Sequence, residues 1–196
     1  MIDSHCHLDL LASKKDLNTA LERAKAAGLT RLMAPSINPH SWQTLQALNS
    51  EYQHLLPIDT ALGVHPYFLS SNECDLKNGI ASLSQEQLVK GQLYELENAA
   101  AMRHPSVKAI GETGIDGHIK VPLKLQQQVF NAHLNVAERC SLPVIVHHRK
   151  SHHLLLEAFK QARYQGEGVI HAFSGSVEVA KRYIERGFYL GIGGTI

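Results

Sequence analysis

The sequence predicts an α/β fold, a TIM-type (β/α)8 barrel in which only about seven βα units are present. Short apolar runs alternate with longer segments of helical apolar spacing about seven times along the 196 residues. Strands that alternate with helices in this way form right-handed βαβ units and a parallel sheet. Seven units over 196 residues give 28 residues per unit, which suits a barrel of roughly 250 residues without its last unit. A doubly wound open sheet is the alternative.

One domain is expected over residues 1–196, because no Pro/Gly/Ser-rich or low-complexity linker divides the pattern. It would be incomplete at its C-terminus, with the eighth strand missing. The predicted strands are the runs MIDSHCH, LTRLMAP, PIDTALGVHP, SVKAIGE, LPVIVH, EGVIHAF and GFYLGIGG. The predicted helices cover about residues 16–27, 41–49, 122–140, 151–163 and 176–186, and a further helix begins at Ser84. Asp16, Ser84 and Ser176 are the predicted N-caps.

Composition restricts the class of partner. Lys and Arg number 19 against 18 Asp and Glu, so no general attraction to nucleic acid or to an anionic membrane is expected. Three cysteines without a CxxC spacing, Cys6, Cys74 and Cys140, favour a reducing compartment. The chain starts without a signal peptide pattern and has no run of about 20 apolar residues. We therefore expect a cytoplasmic protein with no membrane partner and no obligate protein partner.

Polar residues end several of the predicted strands. His5 and His7 are two residues apart on the first strand, so both side chains should point to one side. Glu112, His147 and His171 each end a later apolar run. In a parallel barrel these ends lie at the same face, where active sites form. Five such residues are hard to explain as isolated buried polar groups.

The residue types indicate a metal site. Imidazoles combined with a carboxylate suit Zn or another first-row divalent ion. Five ligands exceed what one catalytic Zn needs, which favours two ions about 4 Å apart that share a carboxylate. Glu112 is the obvious bridge. Cys6 should point away from the two histidines beside it and pack in the core.

The motifs DSHCHLD, GVHP, GETGID, LPVIVHHR and GVIHAFSGS, in this order, resemble those of the TatD family of metal-dependent deoxyribonucleases. The ending GIGGTI and the segment FSGS are similar to the YjjV-like branch of that family. The resemblance implies an amidohydrolase-like barrel that cleaves DNA. It further implies that His5 and His7 bind the first metal, that Glu112 is the bridging and catalytic carboxylate, and that His147 and His171 bind the second. His65, in GVHP, resembles a family histidine that contacts substrate phosphate.

The chain departs from the family pattern in two places. His148 and Lys150 stand where the family more often has a small residue and an acidic one. The family also supplies a metal-binding Asp after the eighth strand, and no residue before Ile196 can be assigned that role.

Other residues have two interpretations. Asp116 could orient a ligand or shape a loop, and Arg149, which shares strand parity with His147, could bind phosphate or form a salt bridge at the rim. Ser174 and Gly175 could offer backbone donors to a phosphate or form a tight turn. Most of the remaining histidines are expected at the surface.

The leading hypothesis is a two-metal phosphodiesterase that acts on DNA with Zn, Mg or Mn. The first alternative is a small-molecule amidohydrolase or phosphoesterase on the same barrel. The second is an inactive fragment or binding module, because seven strands leave two unpaired edges in an eight-stranded barrel. Self-association of residues 1–196 is then expected.

Overall fold

The computed structural model describes residues 1–13, 16–69 and 84–193. Seven parallel strands form one sheet in sequential order, and the sheet curls into a half-barrel. The strands are β1 (Ile2–Asp3), β2 (Arg31–Pro35), β3 (Ile58–Leu62), β4 (Val107–Asp116), β5 (Val144–Arg149), β6 (Gly168–Ile170) and β7 (Phe188–Leu190). Sequential order without reversal is that of a barrel and not of a doubly wound sheet, so the predicted fold class is confirmed.

Helices connect the strands across one face of the sheet. They are α1 (Leu8–Ala12), α2 (Leu17–Ala26), α3 (Pro39–Tyr52), α4 (Gln85–Ala101), α5 (Leu123–Cys140), α6 (His152–Gln161) and α7 (Val177–Ile184), with a 3-10 turn at Pro66–Leu69. Asp16, Ser84 and Ser176 each cap a helix N-terminus with the side chain, as predicted. Among the described residues, no helix combines the length and the apolar character that a membrane crossing requires.

Three strands end earlier than predicted, β3 at Leu62, β6 at Ile170 and β7 at Leu190. Three other elements also differ from prediction. The first strand ends at Asp3 instead of reaching His7, because the Asp3 carboxylate accepts the His5 N–H and turns the chain. The fourth strand continues four residues past Glu112 to Asp116. The helix predicted over 41–49 starts earlier, at Pro39, because Asn38 and Ser41 form a capping box.

The main core lies between the outer face of the sheet and the helices, where Phe130, Phe159 and Tyr183 are buried. The inner face carries smaller side chains, and Ala61, Ala109 and Ile145 pack together there. This face lines an open cavity of about 410 Å³. The core therefore holds the strands from outside and leaves their carboxyl ends free to carry polar side chains.

Candidate metal centre

The centre is built around Glu112, a residue that is 2% exposed. Its Oε2 atom lies 3.1 Å from Nε2 of His5 and 3.4 Å from Nε2 of His7. The two Nε2 atoms are 3.3 Å apart. Two ring nitrogens and one carboxylate oxygen thus meet at one point, which is the arrangement of metal ligands.

His5 and His7 reach this point from a turn and not from a strand. The His5 N–H donates to Asp3, and the Cys6 N–H then donates to the Met33 carbonyl of β2 at 2.9 Å. His7 occupies the N-cap position of α1. The predicted convergence of the two side chains is seen, although strand alternation is not its cause. Cys6 packs against the core formed by α1, α2 and β2, as expected.

Glu112 is placed by the backbone of β4. Its N–H donates to the Ser36 carbonyl just after β2, at 2.9 Å. The Gly63 N–H donates to Oγ of Ser36 at 2.8 Å, and the Gly63 carbonyl accepts from the Trp42 indole at 2.9 Å. The chain after β3 therefore lies directly beside the residue that carries the carboxylate. This contact requires a residue without a Cβ at position 63.

A second group of ligand atoms faces the other oxygen of Glu112. Oε1 lies 3.3 Å from Nδ1 of His147 and 4.0 Å from Nε2 of His65. The other ring nitrogen of His147 lies 3.2 Å from Oδ2 of Asp116. Each group of three, His5–His7–Glu112 and His65–Glu112–His147, has its ligand atoms within 4.8 Å of one another. Glu112 is common to both.

The hydrogen bonding of His65 suits a donor to substrate better than a metal ligand. Its Nδ1 accepts the Tyr67 N–H at 3.2 Å, so a neutral ring carries its proton on Nε2. Burial, with a smaller contribution from His147, lowers the pKa of His65 to about 4, so the ring is neutral at pH 7. Its Nε2–H is a donor that points toward the centre.

His171 and Arg149 lie near the centre in different ways. His171 directly follows β6, and its N–H donates to the Val146 carbonyl of β5. The His171 ring stacks on the His5 ring, with centroids 3.4 Å apart. It does not belong to either group of three among the described residues. Arg149 ends β5, opposite Asp116 of β4, and is exposed.

The centre is electrostatically asymmetric. Burial raises the pKa of Glu112, but hydrogen bonds from His147, His5 and His7 outweigh burial and hold it well below its usual value. The hydrogen bond to Glu112 raises the pKa of His7. Burial lowers the pKa of His171 to about 4, helped by His5. The carboxylate is therefore ionised, and the pKa values of His7 and His171 are shifted in opposite directions.

The donor set fits divalent metal ions. Imidazoles grouped around a carboxylate that stays ionised are ligands typical of Zn and other first-row ions. Within the described part of the chain, the Nδ1 atoms of His5 and His7 are buried without a hydrogen-bond partner. The Nε2 atoms of both rings face the same oxygen of Glu112, so a cation placed between them would contact three donor atoms.

Two histidines beyond the expected set support the segment that follows His171. Nε2 of His148 lies 3.3 Å from the Ala172 carbonyl, and Nε2 of His152 lies 2.8 Å from the Ser174 carbonyl. The ring of Phe173, between these carbonyls, contacts both imidazoles. His152 is one of the remaining histidines, most of which were expected at the surface. His152 begins α6, directly after β5, which carries His147. That position could have indicated a contact with the neighbouring loop.

Comparison with known proteins identifies the family. The model of the family described as TatD related DNase matches residues 2–196. The uncharacterised metal-dependent hydrolase YjjV of Escherichia coli K12 is 34% identical over 196 residues, which is 100% of this chain and 68% of that protein. The protein named 3'-5' ssDNA/RNA exonuclease TatD of Citrobacter koseri is 29% identical over 199 residues, covering 100% of this chain and 68% of its own.

Solved structures give the same result. The crystal structure of YjjV, a TatD homologue from Escherichia coli K12, superposes with a TM-score of 0.83 at 32% identity and covers 100% of this chain and 68% of its own. A TatD-family hydrolase from Entamoeba histolytica shares the fold, with a TM-score of 0.79 at 24% identity, covering 98% of this chain and 64% of its own. The chain belongs to the TatD-related DNase family of metal-dependent hydrolases.

Proposed function

We propose that the chain is a two-metal hydrolase that cleaves the phosphodiester bonds of DNA. The observation that carries the proposal is the position of Glu112, whose two oxygens face two different groups of imidazoles. We assign His5, His7 and Glu112 to one divalent ion, and Glu112, His147 and His171 to a second. Zn, Mg and Mn are the candidate ions.

When bound, two such ions supply positive charge to a phosphoryl group and lower the pKa of water. The catalytic contribution of Glu112 is a buried carboxylate that stays ionised, so both ligand groups keep their shared negative charge. The Nε2–H of His65 donates to an oxygen of the substrate phosphate. Arg149, exposed at the end of β5, contacts another phosphate of the DNA substrate.

DNA is the favoured substrate for two reasons. The family description and the name of the Citrobacter koseri relative both refer to nucleases. In addition, a donor such as His65 beside a pair of cation sites suits a phosphodiester, whose non-bridging oxygens are negatively charged. A net charge of +1 gives no broad basic footprint, so substrate binding depends on this local charge.

We also place the protein in a reducing compartment such as the cytoplasm, acting without a membrane or an obligate protein partner. Cys6 and Cys140 are both free thiols. Cys74, the third cysteine of the sequence argument, lies outside the described residues.

The substitution Glu112→Gln tests the proposal. It keeps the shape of the buried side chain and removes the shared charge, so hydrolysis of single-stranded DNA with added Mg, Mn or Zn should fall at least about 100-fold. Glu97→Gln, which alters an exposed partner of Arg139, is the control and should change little. Wild-type-like DNA hydrolysis by Glu112→Gln contradicts the proposal. Rapid cleavage of a small phosphomonoester without cleavage of DNA indicates the small-molecule alternative.

A further inference from the structure

A row of four aromatic rings leads from the metal centre to the protein surface. The ring of His147 is 4.2 Å from that of His65, centroid to centroid. The ring of Phe68 lies 6.3 Å further on, and that of Tyr67 is 5.4 Å from Phe68. The row begins at a half-buried imidazole beside Glu112 and ends at Tyr67, which is 58% exposed.

Tyr67 has an exposed ring on a well-anchored backbone. It belongs to the 3-10 turn at Pro66–Leu69, whose first and last residues are buried. The Tyr67 N–H donates to the His65 ring, and the Phe68 N–H donates to the His65 carbonyl at 2.9 Å. A large ring with only two side-chain torsions, held on such a turn, loses little conformational entropy when a flat ligand covers it.

The same backbone contact links this ring to the chemistry of the site. The N–H of Tyr67 fixes the tautomer in which His65 directs a donor toward the centre. A phosphate held at His65 would therefore have an exposed aromatic side chain nearby, on the residue whose N–H contacts the His65 ring. A nucleotide offers this combination, a phosphate and a flat π-system on a short tether, whereas a simple phosphomonoester does not.

We propose that Tyr67, with Phe68 behind it, stacks on an unpaired base of single-stranded nucleic acid whose phosphate lies at His65. This inference rests on the proposed function and adds a residue that binds a base of the substrate. In a duplex the faces of the internal bases are covered by their neighbours, so the site favours an unpaired base. Stacking also supplies binding energy that the chain, with a net charge of +1, does not obtain from a general basic surface.

Binding measured without hydrolysis tests the inference. Chelator-treated protein is titrated into a fluorescently labelled oligothymidylate and, separately, into an abasic strand of the same length, and anisotropy is recorded. Wild type should prefer the base-bearing strand. Tyr67→Ala should lose about tenfold in affinity for that strand and nothing for the abasic strand. It keeps the backbone N–H that holds His65, so the phosphate donor is undisturbed.

Two further variants control the comparison. Tyr67→Phe keeps the ring and should bind as wild type does. Tyr94→Ala removes another tyrosine, 69% exposed on α4, and should have no effect. Equal losses on both strands in Tyr67→Ala indicate a merely structural role and overturn the inference. An unchanged affinity overturns it, and so does a wild-type protein that binds both strands equally or neither.

Hydrolysis of the same strands distinguishes this inference from the proposed function. If the base preference depends on Tyr67 but added divalent ions produce no cleavage, the hydrolytic proposal fails and the stacking site stands. If both strands are cleaved in a Glu112-dependent manner with no effect of Tyr67→Ala, the hydrolytic proposal stands and the stacking site fails.

Discussion

The Nε2 atom of His147 lies 3.2 Å from Oδ2 of Asp116, so the imidazole that faces Glu112 is held from behind by a second carboxylate. Asp116 is itself fixed, because its Oδ1 accepts the His118 N–H at 2.8 Å and its N–H donates to Gln126 at 2.7 Å. Burial lowers the pKa of His147, but Glu112 and Asp116 outweigh burial and raise it. A carboxylate in this position sets the orientation and basicity of an imidazole ligand.

Asp116→Asn should therefore weaken divalent-metal binding by about 10- to 100-fold, because the amide cannot replace the negative charge behind His147. Competition with a chromophoric chelator measures this affinity directly. Asp59→Asn is a matched control, since Asp59 pairs with Arg31 and not with a residue of the centre. Equal metal affinity in the two variants would leave Asp116 with only its role in the loop.

His65→Ala should leave the bound metal content unchanged and raise the KM for single-stranded DNA. The Tyr67 N–H occupies Nδ1, so we expect the ring to donate through Nε2 and not to bind an ion. Loss of one hydrogen bond to a charged group costs about 1.5–3 kcal/mol, which corresponds to roughly a tenfold or greater increase in KM. His65→Gln retains a donor and should recover part of the affinity. Elemental analysis decides the point, because a missing ion in His65→Ala would make His65 a ligand.

Gly63→Ala should destabilise the protein by about 1–3 kcal/mol, because it overpacks the backbone beside Glu112. A Cβ at this position would overlap Gly111 and come within 2.7 Å of the Glu112 carbonyl. Denaturant titration of the metal-free protein measures the change. Gly91→Ala provides the opposite case, since nothing lies within 4 Å of its Cβ on helix α4. That variant should gain about 0.5–1 kcal/mol.

Polar residues at the carboxyl ends of predicted parallel strands predicted much of the centre. Apolar runs that end in a polar residue identified Glu112, His147 and His171 correctly as neighbours, because parallel strands present their carboxyl ends at one face. That pattern did not explain His5 and His7, whose approach depends on a side-chain contact between Asp3 and a backbone N–H. Periodicity carries no information about such local hydrogen bonds.

The pattern of apolar runs also did not predict that β4 extends past Glu112. Residues 113–116 contain Gly114 and Asp116, which are poor strand formers, yet they pair with β5 in register. A Cβ at Gly114 would overlap the His147 carbonyl, so close approach of the two strands explains the glycine there. This pairing, set by tertiary contacts, places Asp116 behind His147.

His133 is one of the remaining histidines, most of which were expected at the surface. It is fully buried in α5. It lies three residues after Phe130 and four before Ala137, so helical spacing places it within the apolar stripe. Its Nδ1 donates to the Val129 carbonyl at 2.8 Å, and its Nε2 accepts the Val64 N–H at 3.0 Å. These two bonds explain how an imidazole is accommodated in the core.

Burial lowers the pKa of His133 to about 4, which makes the fold sensitive to acid. Between about pH 6.5, the ordinary value for an unfolded histidine, and about pH 4, the unfolded chain binds a proton here that the folded chain does not. The free energy of unfolding therefore falls as the pH falls through this window, by up to about 3 kcal/mol from this residue. Above the window the contribution of His133 to stability is fully present.

His133→Gln isolates this contribution. The amide oxygen can accept the Val64 N–H but does not titrate, so the variant should be less stable near neutral pH and lose less stability on acidification. Denaturant titrations of the metal-free protein at about pH 7.5 and about pH 5 give the two differences. Other buried histidines, such as His148, titrate in both proteins and cancel in the comparison. Parallel pH profiles for the two proteins would mean that protonation of His133 is not linked to folding.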